Sequence, residues 1–294
     1  MAIKLGTSAF NKAFKGATAI NKIYAGDYKA FPSGTPFVTE IASPTAVYSM
    51  RQVAPNQTRC MQIRRDSDNT TIDIGFINRT LDEQAIIDFC TTSNGFVTLW
   101  EDGSGNGRHA TQSVMLSQPK IYDVGTGVVK ENGKPAISFD GISNSFSTDF
   151  SLTQPNSIVS ILKPYTVESS SYTFDSGITA EDTNRQIMSP NFTSPHNWRI
   201  FAARNLTSSV IPTLQTVVIC GLFNGGGSNI RLNGNQIISG DVGTNNMEGM
   251  QIGKSKITNN AWHGAIQEII FYNVDTSDNI SQIENNINGF YQIY

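Results

Sequence analysis

Most of the chain alternates apolar and polar residues over short segments, the pattern of β-strands with one buried face. Turns rich in Asn and in the chain's 25 glycines separate these segments, and both residue types tolerate the positive φ angles of tight hairpins. Asn233-Gly234 is the strongest short hairpin signal. The pattern predicts strands at 46–50, 60–65, 71–76, 95–100, 136–140, 157–163, 172–175, 198–202, 215–222, 229–232, 236–239, 250–253 and 265–272.

Two segments have helical periodicity instead. Residues 81–90 place their apolar side chains on one face, and Thr80 with Glu83 has the spacing of a capping box. Residues 280–294 repeat Ile and aromatic residues at helical spacing, and Thr276 or Ser277 can cap that helix. Many strands, one short internal helix and one C-terminal helix predict an all-β fold built as a two-sheet sandwich.

The first 33 residues form an internal repeat with a period of ten. Gly recurs at positions 6, 16 and 26, and Lys recurs at positions 12 and 22. Two and a half such units cannot build a core of their own, so they need a partner surface. Residues 32–36 are rich in Pro, Ser and Gly and predict a linker. We therefore expect a small repeat region at 1–34 and one main domain at 35–294.

Composition excludes several classes of protein. Charged residues make up 15% of the chain and the net charge is −3, which predicts no nucleic-acid partner because such surfaces carry a basic excess. No stretch of 18 apolar residues exists, so no membrane insertion is expected, and the N-terminus has no signal-peptide core. The odd number of cysteines, Cys60, Cys90 and Cys220, predicts buried thiols in a protein that folds in a reducing cytosol.

The glycine-punctuated Lys-Ile-Tyr-x-Gly units of the N-terminal repeat resemble those that precede receptor-facing domains in bacteriophage tail and fibre proteins. This resemblance implies a virion protein that is assembled in the host cytoplasm and binds other virion proteins through residues 1–34. It also implies a homo-oligomer, with a trimer favoured, because fibre proteins are commonly trimers and weak sugar sites gain from multivalency. Head or tail location and the host stay open.

Two further resemblances concern the main domain. The stretch AVYSMRQVAPNQTRCMQIRRDSDNTTIDIGF (46–76), followed by FVTLWEDGSGNGRHATQ (96–112), resembles the start of the catalytic sandwich of α-L-arabinofuranosidases. The segments GKPAISFDGISNSF (133–146) and NIRLNGNQIISG (229–240) are similar to laminin-G and concanavalin A-like domains. Together they imply a single concanavalin A-like jelly-roll β-sandwich.

The resemblance also implies where catalytic acids would lie. A retaining glycosidase needs two carboxylates about 5 Å apart. At the place implied for the nucleophilic Glu, after the strand Tyr-Thr-Phe-Asp-Ser-Gly, the chain has residues 186–190 without an acid, and Glu181 and Asp182 come too early. At the place implied for the acid, residues 254–256 read Lys-Ser-Lys. We therefore expect no enzyme activity and assign no catalytic residue.

A glycan site in such a fold combines an aromatic platform with planar polar groups. If the family cleft persists, Tyr172, Asp175, Arg185 and Trp198 would line it, although Tyr172 and Trp198 can equally be core residues of their strands. No cofactor and no metal site is assigned. Calcium stays open because Asp140, Asp149 and Asp182 are loop candidates without a compact run of acids.

Three functions follow. The first is a non-catalytic phage structural protein (tail or head fibre, baseplate or head decoration) that binds host cell-surface polysaccharide as a receptor. The second is a purely structural virion decoration or cementing protein. The third is a glycoside hydrolase of the arabinofuranosidase type, a depolymerase whose acids lie elsewhere. We expect the first.

Overall fold

The computed structural model describes residues 35–167, 171–176, 184–191 and 194–294, and the backbone of four short strands within the first 19 residues. The chain divides into two compact units, Met1–Pro32 and Ser33–Tyr294. In the first unit, four strands pair as two antiparallel hairpins, β1 with β2 and β3 with β4. They are β1 (Ile3–Leu5), β2 (Ser8–Phe10), β3 (Phe14–Lys15) and β4 (Thr18–Ala19). The rest of the predicted repeat and linker residues 32–34 lie outside the described residues.

The second unit is a β-sandwich with helices at its margins, which confirms the predicted fold class. Its helices are α1 (Val38–Ile41), α2 (Glu83–Cys90) and α3 (Ile280–Tyr291), with 3-10 turns at Met115–Ser117 and Gly225–Gly227. Its strands β5 to β26 are, in chain order, Ala46–Ser49, Arg59–Arg65, Thr71–Ile77, Thr80–Leu81, Gly95–Trp100, Ala110–Thr111, Lys120–Asp123, Gly127–Val128, Lys130–Glu131, Lys134–Pro135, Ile137–Asp140, Phe146–Leu152, Asn156–Pro164, Phe174–Ser176, Ile187–Pro190, Trp198–Phe201, Asn205–Thr207, Val217–Phe223, Ser228–Leu232, Asn235–Gly240, Met247–Ile252 and His263–Tyr272.

The strands form two antiparallel layers that join along one edge. The first layer runs β24-β23-β22-β17-β26-β5. The second runs β21-β20-β19-β18-β25-β16-β10-β9-β6-β7. Strand β11 pairs with β9 and with β15, and β15 pairs with β26, so this edge connects the layers.

The core lies between the two layers. Phe271 of β26 has its ring centroid 5.7 Å from that of Phe174 in β18 and 5.4 Å from that of Phe150 in β16. All three tryptophans are buried, at 1% exposure or less. Each large apolar side chain buried here stabilises the fold by about 1.5–3 kcal/mol relative to an exposed position.

The two longer helices are capped by residues other than those predicted. The cap of α2 is Asp82, whose carboxylate accepts from the backbone N–H of Ala85, whereas Thr80 is part of β8. Pairing of β8 with β7 uses Thr80 as a strand residue, so it cannot also cap the helix. For α3 the cap position is Asn279.

Helix α3 covers the outer face of the first layer and buries an ion pair there. Arg51 follows β5 and donates two hydrogen bonds to Glu268 of β26, at 2.8 and 2.9 Å. Both residues are at most 1% exposed. Ser49 and Tyr291 donate to the same carboxylate, and Arg51 also donates to the side-chain oxygen of Asn286 in α3. The pair therefore joins the first layer to the C-terminal helix.

The three cysteines are free and buried, as predicted. Burial raises the pKa of the Cys90 thiol to about 11, which keeps it protonated and unreactive at neutral pH. Among the described residues, no helix is long and apolar enough to span a membrane.

Candidate functional site

Of the four predicted glycan-binding residues, Asp175 and Trp198 lie on strands β18 and β20 of the second layer, and Tyr172 and Arg185 lie just before β18 and β19. Strand β18 carries Asp175 between β25 and β19. Arg185 donates to both oxygens of the Asp175 carboxylate, at 2.7 and 2.8 Å. The Ser255 hydroxyl and the backbone N–H of Lys256 donate to the same carboxylate. Asp175 is completely buried, and at least four hydrogen bonds hold its carboxylate.

The two aromatic members of the predicted site are buried as well. The guanidinium groups of Arg185 and Arg199 each lie 5.8 Å from the ring centroid of Tyr172. Trp198 is 1% exposed and belongs to the core. In the described structure these side chains pack within the second layer, and their binding of a glycan stays a prediction.

Polar groups around Asp175 are unusually numerous for a buried region. The side-chain oxygens of Ser171, Ser189 and Gln186 (Oε1) are buried and have no hydrogen-bond partner. Unpaired buried oxygens are costly, by about 1–3 kcal/mol each, and a polar ligand can satisfy them. Glu181 and Asp182 lie outside the described residues. Among the described residues of this cluster, the acidic side chain is Asp175, and its carboxylate is already engaged in the ion pair with Arg185.

Substituting Asn for Asp175 tests whether this carboxylate is structural. Asn keeps one oxygen acceptor but removes the negative charge that pairs with Arg185, whose side chain is 9% exposed. We expect a loss of about 2–3 kcal/mol in the free energy of unfolding, measured by urea titration. Ser255→Ala, which removes one neutral donor, should cost less; an unchanged stability of the Asp175→Asn variant would contradict a structural role.

A second region brings several carboxylates to one groove. It is an open groove of about 1050 Å³ at the edge where the two layers join. Four acidic side chains line it, and we name it the carboxylate groove: Asp66, Asp123, Glu131 and Asp140. Neutral polar and aromatic groups that can contact sugar hydroxyls and ring faces lie between them, including Asn69, Phe96, Gln118, Asn144 and Tyr165.

Glu131 is the most buried of these acids, at 7% exposure. It lies on the hairpin of β13 and β14, whose Asn132-Gly133 turn has positive φ at both residues, as a type I′ turn requires. The Asn132 side chain donates to two backbone carbonyls at the end of α3, which anchors the hairpin. The Glu131 carboxylate therefore has a fixed position on the groove wall.

Two side chains from the end of β17 hold the Glu131 carboxylate. The Lys163 ammonium donates to Oε2 at 2.5 Å, and the Tyr165 hydroxyl donates to Oε1 at 2.7 Å. Burial, and then the Glu131 charge, raise the pKa of Tyr165, so this hydroxyl stays a donor. The Tyr165 ring packs edge-on against His263, with centroids 5.7 Å apart.

Asp140 lines the same groove as Glu131 and lies on a different strand, β15. Tyr165 is hydrogen-bonded to Ser138 as well as to Glu131, and Ser138 and Asp140 project from one face of β15. Their Cα atoms are about 7 Å apart, since they are alternate strand residues.

Hydrogen bonds keep Asp140 ionised. Partial burial opposes its charge, but the backbone N–H groups of Asn144, Ile142 and Ser143 outweigh burial and lower its pKa. All three donate to Oδ1, at 2.9 Å. Oδ2 accepts a longer bond of 3.2 Å from the Ser143 hydroxyl, so it has lone pairs available for a water molecule.

A metal centre finds no support in the described part of the chain. No group of three His, Cys, Asp or Glu side chains there is arranged to hold an ion. Of the calcium candidates, Asp140 binds its own loop, and Asp182 lies outside the described residues.

Glu131 was missed from the sequence because its partners, Lys163 and Tyr165, are more than 30 residues away. A local signal was present: Lys-Glu-Asn-Gly-Lys-Pro (130–135) has the Asn-Gly pair of a two-residue hairpin, which fixes the strand partners of its neighbours. Nothing in the sequence places Asp140 beside that hairpin.

Comparison with solved structures identifies the architecture. A GH54 α-L-arabinofuranosidase soaked with a cyclic sulfate inhibitor matches 86% of this chain with a TM-score of 0.70 and 15% sequence identity. An arabinofuranosidase complexed with arabinofuranosyl-α-1,2-xylobiose matches 86% with a TM-score of 0.65 and 17% identity. In both cases the chain spans 64% of the length of the other protein. No protein-family model and no curated protein sequence matches the chain.

The fold is therefore the β-sandwich of these glycoside hydrolases, as the sequence resemblance implied. The expectation of a non-catalytic phage structural protein is wrong: the solved structures that share this fold are glycoside hydrolases, and they favour the hydrolase alternative. That expectation rested on acids missing at two places in the sequence. In the folded chain, carboxylates that are far apart in sequence line one groove, which a comparison of positions along the chain does not detect. The comparisons lend no support to a virion protein.

Proposed function

We propose that the chain is a glycoside hydrolase of the arabinofuranosidase type, with its active centre in the carboxylate groove. The observation that carries the proposal is the groove itself: an open site of about 1050 Å³ with Glu131 and Asp140 among its lining residues. The proposed substrates are α-L-arabinofuranosides, because arabinofuranosidases with this fold have been solved with arabinofuranosyl-α-1,2-xylobiose and with 4-nitrophenyl α-L-arabinofuranoside.

The two carboxylates have different proposed roles. Asp140, which hydrogen bonds keep ionised, suits the base that activates water. Glu131 is the proposed acid that protonates the leaving oxygen. Because the Lys163 ammonium favours the ionised carboxylate, that ion pair must open and Glu131 must take up a proton when substrate binds. The Tyr165 hydroxyl and the Lys163 ammonium, both in hydrogen-bond contact with Glu131, position its carboxylate.

This assignment departs from the sites implied by the sequence resemblance. At the place implied for the nucleophilic Glu, the chain has the buried strand β19 (Ile187–Pro190). At the place implied for the acid, it has Lys254 and Lys256. The Asp175 cluster, with Tyr172, Arg185 and Trp198, remains proposed as a glycan contact rather than a catalytic centre. A polar ligand there would satisfy the unpaired oxygens of Ser171, Gln186 and Ser189.

The test is hydrolysis by the full chain. We expect release of 4-nitrophenol from 4-nitrophenyl α-L-arabinofuranoside and of reducing sugar from arabinose-bearing polysaccharides. A purified, folded chain that releases neither would overturn the proposal.

The biological setting is a separate proposal that rests on the N-terminal repeat. Residues 1–34 would attach the enzyme to other virion proteins, the substrate would be host-surface polysaccharide, and the assembly would be a trimer. Analytical ultracentrifugation of the full chain checks the trimer, and mass spectrometry of purified phage particles checks the location. A monomeric chain that is absent from particles would exclude this setting.

A further inference from the structure

An exposed apolar surface borders the carboxylate groove. Its four side chains, which we name the apolar rim, are Val114, Met115, Leu116 and Ile142, with exposed fractions of 59%, 52%, 89% and 73%. Met115 and Leu116 also line the groove. Soluble chains rarely expose large contiguous apolar surface without a binding role.

The apolar rim is held in place by a network of hydrogen bonds. The 3-10 turn Met115–Ser117 and the loop that carries Ile142 are joined by the Ser143 hydroxyl, which donates to the Leu116 carbonyl at 3.1 Å. The backbone N–H of Ser145 donates to the Ser117 carbonyl at 3.1 Å, and the Asn144 side chain donates to the Gln118 carbonyl. The two loops therefore present their apolar side chains as one surface.

The lining of the groove is polar, whereas the rim is apolar, and this contrast limits which ligands can contact both regions. Beside the rim, the groove carries charged and amide side chains, including Arg64, Gln118 and Lys120. A ligand that occupies both regions has a polar part for the groove and an apolar part for the rim. Sugar hydroxyls match the first region, but a bare sugar offers little to four aliphatic side chains.

We propose that the apolar rim binds an apolar substituent, about the size of one aromatic ring, that is attached to the sugar in the groove. This inference rests on the proposed function and names its substrate class: glycosides with an aryl or alkyl group next to the scissile or a neighbouring position. Burying part of Leu116 and Ile142 against such a group contributes to affinity in proportion to the apolar area that is covered.

The experiment measures binding by the full chain of three ligands that resist hydrolysis, the methyl, hexyl and phenyl 1-thio-α-L-arabinofuranosides. Isothermal titration calorimetry should show that the phenyl or hexyl compound binds about tenfold more tightly than the methyl compound. A preference for phenyl alone identifies an aryl group, and an equal gain for hexyl identifies a general apolar group. Leu116→Ser and Ile142→Ser should each reduce this preference severalfold.

Val274→Ser is the matched control. Val274 is 51% exposed and follows the far end of β26, about 30 Å from His263 at the groove end. It should leave the preference unchanged. Equal affinities for the three ligands, or no measurable binding of the phenyl compound, would overturn the inference. So would a Leu116→Ser variant that keeps the preference but changes the oligomeric state, since the rim would then join two copies. Preferential binding without hydrolysis of any glycoside would uphold the rim and overturn the proposed function.

Discussion

The Glu131→Gln variant is expected to hydrolyse 4-nitrophenyl α-L-arabinofuranoside about 10²–10⁴-fold more slowly than the unmodified chain. Gln has nearly the same size and still offers an oxygen to the Tyr165 hydroxyl, but its amide cannot deliver a proton to the leaving oxygen. The loss should therefore appear in kcat, with a small change in KM. Asp140→Asn should be impaired as well, because an amide cannot activate water.

Glu101→Gln is a matched control for this loss. Glu101 is also a partly buried Glu in an ion pair, with Arg59, but it lines a different groove. It should keep near-normal kcat. If the unmodified chain is active and Glu131→Gln keeps full activity, the active centre lies elsewhere. Loss of activity in Glu101→Gln but not in Glu131→Gln would move it to the other groove.

The second large effect concerns stability. Glu268→Gln should lower the free energy of unfolding by about 3–5 kcal/mol, because it removes the negative charge that pairs with the buried Arg51 guanidinium. The Gln side chain also cannot accept from all the donors that now reach Glu268. Urea unfolding followed by tryptophan fluorescence measures the change, since all three tryptophans are buried in this unit.

Two further variants separate charge from packing. Arg51→Met with Glu268→Leu replaces both charges by apolar side chains and should cost less than Glu268→Gln alone, because no unpaired charge remains. Arg204→Gln removes an exposed ion pair with Asp241 and should leave the unfolding midpoint almost unchanged. A change below about 1 kcal/mol in Glu268→Gln would show that this pair does not hold α3 to the first layer.

Local sequence predicted the strands well and the functional geometry poorly. Strand β9 (Gly95–Trp100) lies where the alternation places it, and β26 (His263–Tyr272) extends its predicted segment by two residues. The cap of α2 was misplaced by two residues because Thr80 and Asp82 both have suitable side chains, and only the pairing of β8 with β7 excludes Thr80.

The predicted site shows the same limit. Tyr172, Asp175 and Arg185 do lie together, but whether such residues are open or buried depends on what packs over them. The expectation that catalytic acids are missing had a related weakness. It compared single positions along the chain, whereas a pair of acids is defined by distance in space.

The sequence by itself determined that this chain is an all-β sandwich with a C-terminal helix, because alternation, turn residues and helical periodicity are local properties. Only the tertiary structure decided which carboxylates share a groove. Glu131 reaches Tyr165 and Lys163 because a two-residue hairpin, the end of β17 and the end of α3 meet at one edge of the sandwich. That meeting depends on strand register and on packing between distant segments, which no local pattern encodes.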